Sequence, residues 1–133
     1  MKHLWSIICN KLIVDENTNS ATLVEVLEEI RINENVCKDK KFLPIFFDLV
    51  SLWLIESDDD YQKENNIIIE FYDSQKNKLD EFKFNFIAPE KRKRVRTSIR
   101  FNKFFFKEPG VYMVKVKQND KKVGEVFVEI IIN

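Results

Sequence analysis

The regular spacing of turn signals is the feature that most constrains how this chain can fold. Clusters rich in Asn, Asp, Ser, Pro and Gly recur along it, and runs of about 8–13 residues rich in Ile, Val and Phe lie between them. Several runs alternate with period two, as Phe82, Phe84 and Phe86 do. The pattern predicts an all-β fold: a single domain over residues 1–133, built as an antiparallel β-sandwich of seven to eight strands.

Composition fits one such core. Of 133 residues, 44% are hydrophobic and 12 are Phe, which is enough apolar material for one domain. The 22 basic residues balance the 22 acidic ones. A net charge of zero excludes a globally basic nucleic-acid protein and an acidic disordered chain.

One segment, Ala21–Ile32, fits two structures. Its apolar residues have the i, i+3, i+4, i+7 spacing of a helix face. They are Leu23, Val26, Leu27 and Ile30. Parts of the segment also alternate, so a strand that pairs with Leu4–Val14 across the Asp15–Ser20 turn competes with the helix. The later run Ile67–Tyr72 is predicted as one arm of a hairpin whose other arm is Leu79–Ala88.

The longest apolar run, Phe42–Ile55, is apolar in both strand registers. A strand buried on both faces has this composition, and we expect the surplus apolar surface to cover a contact between subunits. Four residues in apolar registers of long strands are predicted to anchor the core. They are Trp53, Phe84, Tyr112 and Val128.

Enzyme chemistry finds little support. His3 is the only histidine, and we predict it on the surface or on an edge strand, without a catalytic triad. Gly110 and Gly124 are the only glycines, so no glycine-rich phosphate loop can be written. We therefore expect a protein that is not an enzyme and that has no cofactor.

Cysteine and acidic residues leave narrower alternatives. Cys9 and Cys37 are predicted as reduced, packed thiols, with a disulfide between them as the alternative. Asp58–Asp60 is predicted as a solvated hairpin loop, and a calcium site shared with Asp15 and Glu16 is the alternative. The chain shows neither a secretory signal nor a run of about 20 apolar residues, so we expect a cytoplasmic protein away from membranes.

One local charge asymmetry stands out, and it supplies the candidate partner-binding residues. Basic side chains cluster within ten positions and are followed by several phenylalanines. They are Lys91, Arg92, Lys93, Arg94, Arg96 and Arg100. Three interpretations remain open: a solvated edge or turn that blocks edge-to-edge pairing, a surface for an acidic protein, or a site for single-stranded nucleic acid.

The stretch Phe106–Val116 contains Pro109 and Gly110, then Tyr112. It resembles the Pro-Gly-x-Tyr entry to a late strand in immunoglobulin-like sandwiches, where the tyrosine hydroxyl bonds back to the backbone at the corner. With the early segments Ile7–Lys11 and Leu23–Val26, the chain is similar to a prokaryotic family of small β-sandwich domains of unknown function, immunoglobulin-like or C2-like. The resemblance implies that Ala21–Ile32 is largely strand, and it supplies no catalytic residues.

The function we expect is therefore a non-enzymatic binding or assembly module with a protein partner, which includes self-association. The alternative is a nucleic-acid-binding accessory protein that uses residues 91–100. Side chains that converge on a groove with exposed phenylalanines favour nucleic acid. Side chains spread along an edge favour the binding module.

Overall fold

The computed structural model describes residues 1–37 and 42–133. Within these ranges eleven strands, numbered in chain order, form two larger sheets and one small one. We call the four-stranded sheet sheet A; its spatial order is β2 (Ala21–Val26), β1 (Lys2–Val14), β5 (Phe47–Leu54) and β8 (Arg94–Phe101). The five-stranded sheet is sheet B; its order is β3 (Glu29–Ile32), β11 (Lys121–Ile132), β10 (Gly110–Gln118), β6 (Glu64–Tyr72) and β7 (Lys78–Ile87).

The remaining elements are short. Strands β4 (Phe42–Leu43) and β9 (Phe104–Phe105) pair with each other alone. One turn of helix, α1 (Glu34–Cys37), and one 3-10 turn, Asp58–Tyr61, complete the described ranges. The predicted all-β class is confirmed. The predicted count of seven to eight is lower than the eleven strands described, because β4 and β9 are too short to leave a period-two signal and β2 and β3 fall within the single predicted segment Ala21–Ile32.

The ambiguous segment is strand, so the helix interpretation is wrong. β2 pairs with β1 in sheet A, and β3 then pairs with β11 in sheet B. Near the end of β2, Glu25 has a left-handed φ of 51°, and Leu27, between the two strands, packs against the core. The chain therefore switches sheets here without reversing direction, which makes β3 and β11 parallel where only antiparallel pairs were predicted.

The core lies between sheets A and B. Trp53 and Tyr112 are buried, as is Val128, which confirms three of the four predicted anchors. Phe84 is only partly buried because β7 is the edge strand of sheet B. The predicted hairpin of β6 and β7 is confirmed, and its turn is held by Asp73, whose carboxylate accepts the backbone N–H groups of residues 75 and 77.

Strand β5 is buried on both faces, as predicted, but this chain supplies the cover itself. Arg96 of β8 aligns with Leu52 of β5 and thus with Trp5 of β1. A straight β1 would carry its hairpin turn roughly 30 Å beyond Trp5. Instead the Arg96 guanidinium donates to the carbonyl oxygen of Asn19 in that turn, at 3.2 Å. The β1–β2 hairpin therefore folds back over the outer face of sheet A, where Val50 has no exposed surface.

A buried tyrosine organises the entry to β10. The Tyr112 hydroxyl donates to the carbonyl of Glu108 at 2.6 Å and accepts the backbone N–H groups of Lys107 and Glu108 at 3.0 Å each. Three backbone groups of the turn are thereby satisfied by one side chain, which fixes how β10 leaves the turn.

A buried carboxylate lies on the outer face of sheet B. Glu70 of β6 makes ion pairs with Lys117 of β10 at 2.8 Å and with Lys78 of β7 at 2.9 Å. Burial alone would raise the pKa of Glu70, but the hydrogen bonds and charges of the two lysines outweigh it and hold the pKa at about 2. Glu70 thus ties the edge strand β7 to the centre of its sheet.

Replacing Tyr112 by Phe should lower the free energy of unfolding by about 1–3 kcal/mol, because the backbone groups of Lys107 and Glu108 lose their partner in a part-buried turn. Urea denaturation measures the change. Tyr72→Phe is the control, since its ring lies on the outer face of sheet B beneath Lys115. Equal stability of the two variants would contradict the role given to Tyr112.

The variant Glu70→Gln should be less stable than wild type by about 1–3 kcal/mol at neutral pH. The folded pKa of Glu70 lies below its ordinary value of 4.5, so this contribution is complete above pH 4.5 and is lost as pH falls towards 2. Thermal melts across this range should show the two proteins converging in acid. Glu16→Gln, an exposed turn residue, is the control. A stability gap that does not narrow would contradict the assignment.

Candidate binding edge

The structure divides the six predicted basic residues between a turn and a strand. Lys91, Arg92 and Lys93 lie in the connection from β7 to β8, which we call the basic turn. Its backbone is anchored: the carbonyl of Arg92 accepts the Tyr61 hydroxyl at 3.0 Å, and the carbonyl of Lys93 accepts the N–H of Ile55 at 2.9 Å. The three side chains are exposed.

The other three, Arg94, Arg96 and Arg100, lie on β8, the edge strand of sheet A. Val95 and Ile99 alternate with them and face the core. The three arginines therefore project from the outer face of sheet A, and we call them the arginine stripe. Within the described residues, Arg94 and Arg96 make no ion pair with a carboxylate, so their charges are uncompensated.

A small recess lies beneath the folded-back hairpin. Trp5, Leu23 and Leu52 form its apolar wall, and Arg94 and Arg96 form its basic wall. Its volume is about 290 Å³. The carbonyl of Asn19 fixes one amino group of Arg96 here, which leaves the rest of the guanidinium available to an acceptor from outside.

Asp48 is the buried partner of the third stripe arginine. Its Oδ1 accepts Arg100 Nη1 at 3.1 Å, and its Oδ2 accepts the backbone N–H of Leu12 at 2.9 Å. Leu12 lies three residues beyond Cys9, the last β1 residue in register with β5. The carboxylate therefore holds β1 at the point where its hairpin leaves β5, and joins that bend to β8.

On its other side, β8 borders an open cleft. β7 and β8 are edge strands of opposite sheets, and their Phe82 and Phe101 rings lie 6.0 Å apart. The cleft between them has a volume of about 430 Å³, within the range of ligand pockets. Phe82 is 42% exposed and Phe46 is 55% exposed. We call this the seam cleft, and its apolar lining is Phe46, Phe71, Phe82, Ile99, Phe101 and Phe105.

Cations lie over the exposed rings at the mouth of the seam cleft. The Arg100 guanidinium lies 5.6 Å from the centre of the Phe46 ring. The Lys103 ammonium lies 5.1 Å from the centre of Phe105 and 5.7 Å from that of Phe42. Contacts of this kind stabilise the cations and occupy ring faces that a nucleobase would need for stacking.

His3 lies on the inner face of sheet A, half-buried rather than at the surface. Its Nε2 is 2.7 Å from Ser6 Oγ, which is 2.6 Å from Ser51 Oγ, and its ring packs edge-on against Trp53. Burial lowers the pKa of His3. These contacts describe a polar chain within the core.

The structure bears on two alternatives from the sequence, the Cys9–Cys37 disulfide and the calcium site at Asp58–Asp60. Cys9 is a free, buried thiol, so the disulfide to Cys37 is wrong, and the Cys37 side chain lies outside the described residues. Asp60 is buried and pairs with the amino group of Met1 at 2.9 Å, which holds the pKa of its carboxyl below the ordinary value. In residues 1–37 and 42–133 no group of three potential ligands is placed to hold a metal, so the geometry gives the calcium alternative no support.

No helix in the described ranges has the length and apolar character needed to cross a bilayer.

The phenylalanines that follow the basic run lie mainly in the core, and Phe104 and Phe106 are buried.

Asp48 and the seam cleft were not among the predicted site residues. Asp48 had a detectable signal, because it is the only acid within the apolar run Phe42–Ile55. A buried acid in such a run requires a partner. The seam cleft had no such signal, since it arises from the approach of two edges that are not hydrogen-bonded to each other.

Replacing Asp48 by Asn should destabilise the fold by about 1–3 kcal/mol, because the buried acceptor of the Leu12 N–H loses its charge and Arg100 loses its counter-charge. Urea denaturation measures this loss. Asp59→Asn, an exposed aspartate, is the control, and its effect should stay within about 0.5 kcal/mol. Indistinguishable midpoints would contradict the anchoring role of Asp48.

No family model matches this chain, and no curated protein matches it. What the edge of β8 binds must therefore follow from its own shape and charge.

Proposed function

We propose that this protein is a non-enzymatic binding or assembly module whose partner is an acidic protein. The observation that carries the proposal is the arginine stripe, which lies on an edge strand between two recesses. Arg94 and Arg96 have no carboxylate partner among the described residues, and the basic turn adds three more exposed cations beside them. Uncompensated charge beside apolar recesses is suited to a carboxylate-bearing protein surface.

Nucleic acid is the second candidate, and the geometry favours it less. Only Arg100 of the six basic residues borders the cleft with exposed phenylalanines. Its charge is paired with Asp48, and Lys103 covers the rings at the mouth. The other five side chains spread along the turn and the edge. A track for a single strand combines cations with open aromatic faces, and here the two are separated or already engaged.

Charge also bears on self-association. Two copies joined through β8 in antiparallel register place one arginine stripe against another, and like charges directly opposite each other destabilise a pair of strands. The edge thus resists a second copy of itself and attracts an acidic chain. We therefore favour a different protein as the partner.

The finer fold class is part of the same proposal. Without β2 and the short strands, seven long strands remain: β1, β5 and β8 in one sheet and β7, β6, β10 and β11 in the other, with antiparallel neighbours throughout. The Tyr112 corner at the start of β10 supports an immunoglobulin-like sandwich over a C2-like one.

We propose that the protein belongs with prokaryotic small β-sandwich domains and acts in the cytoplasm; the free thiol of Cys9 suits a reducing compartment.

The test is capture of partners from a lysate of the native host by immobilised protein, read by mass spectrometry. Reversal of Arg92, Lys93 and Arg94 to Glu should abolish capture of the specific partner while leaving the fold intact, because exposed charge changes cost about 0.5 kcal/mol or less each. The control is Lys121→Glu with Lys122→Glu, exposed on the far hairpin of sheet B. Its capture should match that of wild type.

Titration with a random-sequence single-stranded oligonucleotide at about 0.15 M salt separates the two candidates. We expect no binding. Micromolar, salt-sensitive binding that the triple reversal abolishes would overturn the acidic-protein proposal in favour of nucleic acid. Capture that is equal for wild type and the triple reversal would overturn the placement of the partner surface.

A further inference from the structure

The backbone of β8 has a free edge whose polarity can be derived from one hydrogen bond. The N–H of Ile55 donates to the carbonyl of Lys93, one position before β8 begins. In an antiparallel ladder the residues bonded to the neighbouring strand alternate with residues whose backbone groups point away from it. Odd-numbered positions such as Val95 and Ile99 therefore bond β5, and the N–H and C=O groups of Arg94, Arg96, Ser98 and Arg100 point to the free edge.

The side chains on the outer face and the backbone groups on the free edge therefore belong to the same residues of β8. Each arginine of the stripe offers a guanidinium on the outer face of sheet A and an amide group in the plane of the sheet. Within the described part of the chain, no further strand pairs with this edge. On the inner side the seam cleft lies open between β8 and β7. A ligand that meets all three features is an extended polypeptide.

We infer that β8 is the site where an acidic, extended segment of a partner protein adds as an antiparallel fifth strand of sheet A. The inference rests on the proposed function and gives it a binding mode. Every described pair of sheet A is antiparallel, and the added strand continues that pattern. Residues of the added strand that lie opposite Arg94 and Arg96 face the outer side and are Glu or Asp. The residues that alternate with them face inward, and those opposite Ile99 and Phe101 lie over the seam cleft and are apolar.

The cleft gives the apolar positions a binding surface. The added strand lies about 4.8 Å from β8, so its inward side chains extend over the gap between β8 and β7. There Phe82 is 42% exposed, and Ile99 and Phe101 are only partly buried. Covering these side chains removes apolar surface from water, while the carboxylates on the other face of the added strand pair with the arginine stripe. The partner segment thus alternates acidic and apolar residues over about the eight residues of β8.

The test uses a fluorescent synthetic peptide of about this length that alternates glutamate with valine and phenylalanine, titrated by anisotropy. We expect saturable binding to wild type. A peptide of identical composition with its glutamates in one block keeps the charge and loses the alternation. It should bind at least about tenfold more weakly, and equal binding of the two peptides would overturn strand addition.

Backbone methylation provides the matched control. In antiparallel addition the amides that bond β8 belong to the glutamates, because directly opposite residues exchange both hydrogen bonds. Methylating glutamate nitrogens should abolish binding, whereas methylating valine and phenylalanine nitrogens should leave it within about threefold. The reverse result, or equal tolerance of both, would overturn the inference.

Protein variants locate the site. Arg94→Glu with Arg96→Glu should lower affinity at least about tenfold, and Lys121→Glu with Lys122→Glu should not. Circular dichroism confirms that each variant is folded. The two proposals can fail separately. If capture of a partner depends on charge but the alternating and blocked peptides bind equally, only the strand-addition mode is contradicted. Failure of wild type to capture any specific partner would contradict the binding function itself.

Discussion

The Asp48 carboxylate is the interaction on which the arrangement around β8 depends. It accepts Leu12 N–H with one oxygen and Arg100 with the other, so one buried charge joins the bend in β1 to the edge strand two positions across the sheet. Because the bend is held, the β1–β2 hairpin covers the outer face of β5. Because the hairpin is in place, Arg96 can bond Asn19, and the recess beside Trp5 exists. The site thus depends on a carboxylate, Asp48, that lies outside the basic run.

Much of the fold could be predicted because the relevant signals are local. Period-two alternation gave β7, β10 and β11, and turn residues gave their boundaries. Asn119 and Asp120 both have left-handed φ angles, as a tight hairpin turn requires, and Asp73 closes the preceding hairpin through its own carboxylate. Burial at Tyr112 and Val128 followed from the same alternation, and burial at Trp53 followed from its continuous apolar run.

The rest depends on contacts between distant segments, which periodicity does not encode. The apparent helix spacing of Leu23, Leu27 and Ile30 arises because the chain leaves sheet A and enters sheet B, so a left-handed residue at Glu25 interrupts a strand pattern. Phe84 has a core register but lies on an edge, so its burial was overestimated. The apolar surplus of β5 suggested a contact between subunits, whereas the hairpin of the same chain covers Val50. The seam cleft depends on how two sheet edges approach each other.

Arg100 differs from its neighbours in a way that gives the edge a direction. Its charge is matched by Asp48 and shared with the Phe46 ring, whereas Arg94 and Arg96 have no such match among the described residues. Positive potential therefore increases along β8 towards the basic turn, while apolar surface increases towards Phe101 and the mouth of the cleft. An antiparallel segment that fits this gradient differs between its two faces and also between its two ends. Its amino-terminal part is mainly apolar, and its carboxyl-terminal part is mainly acidic.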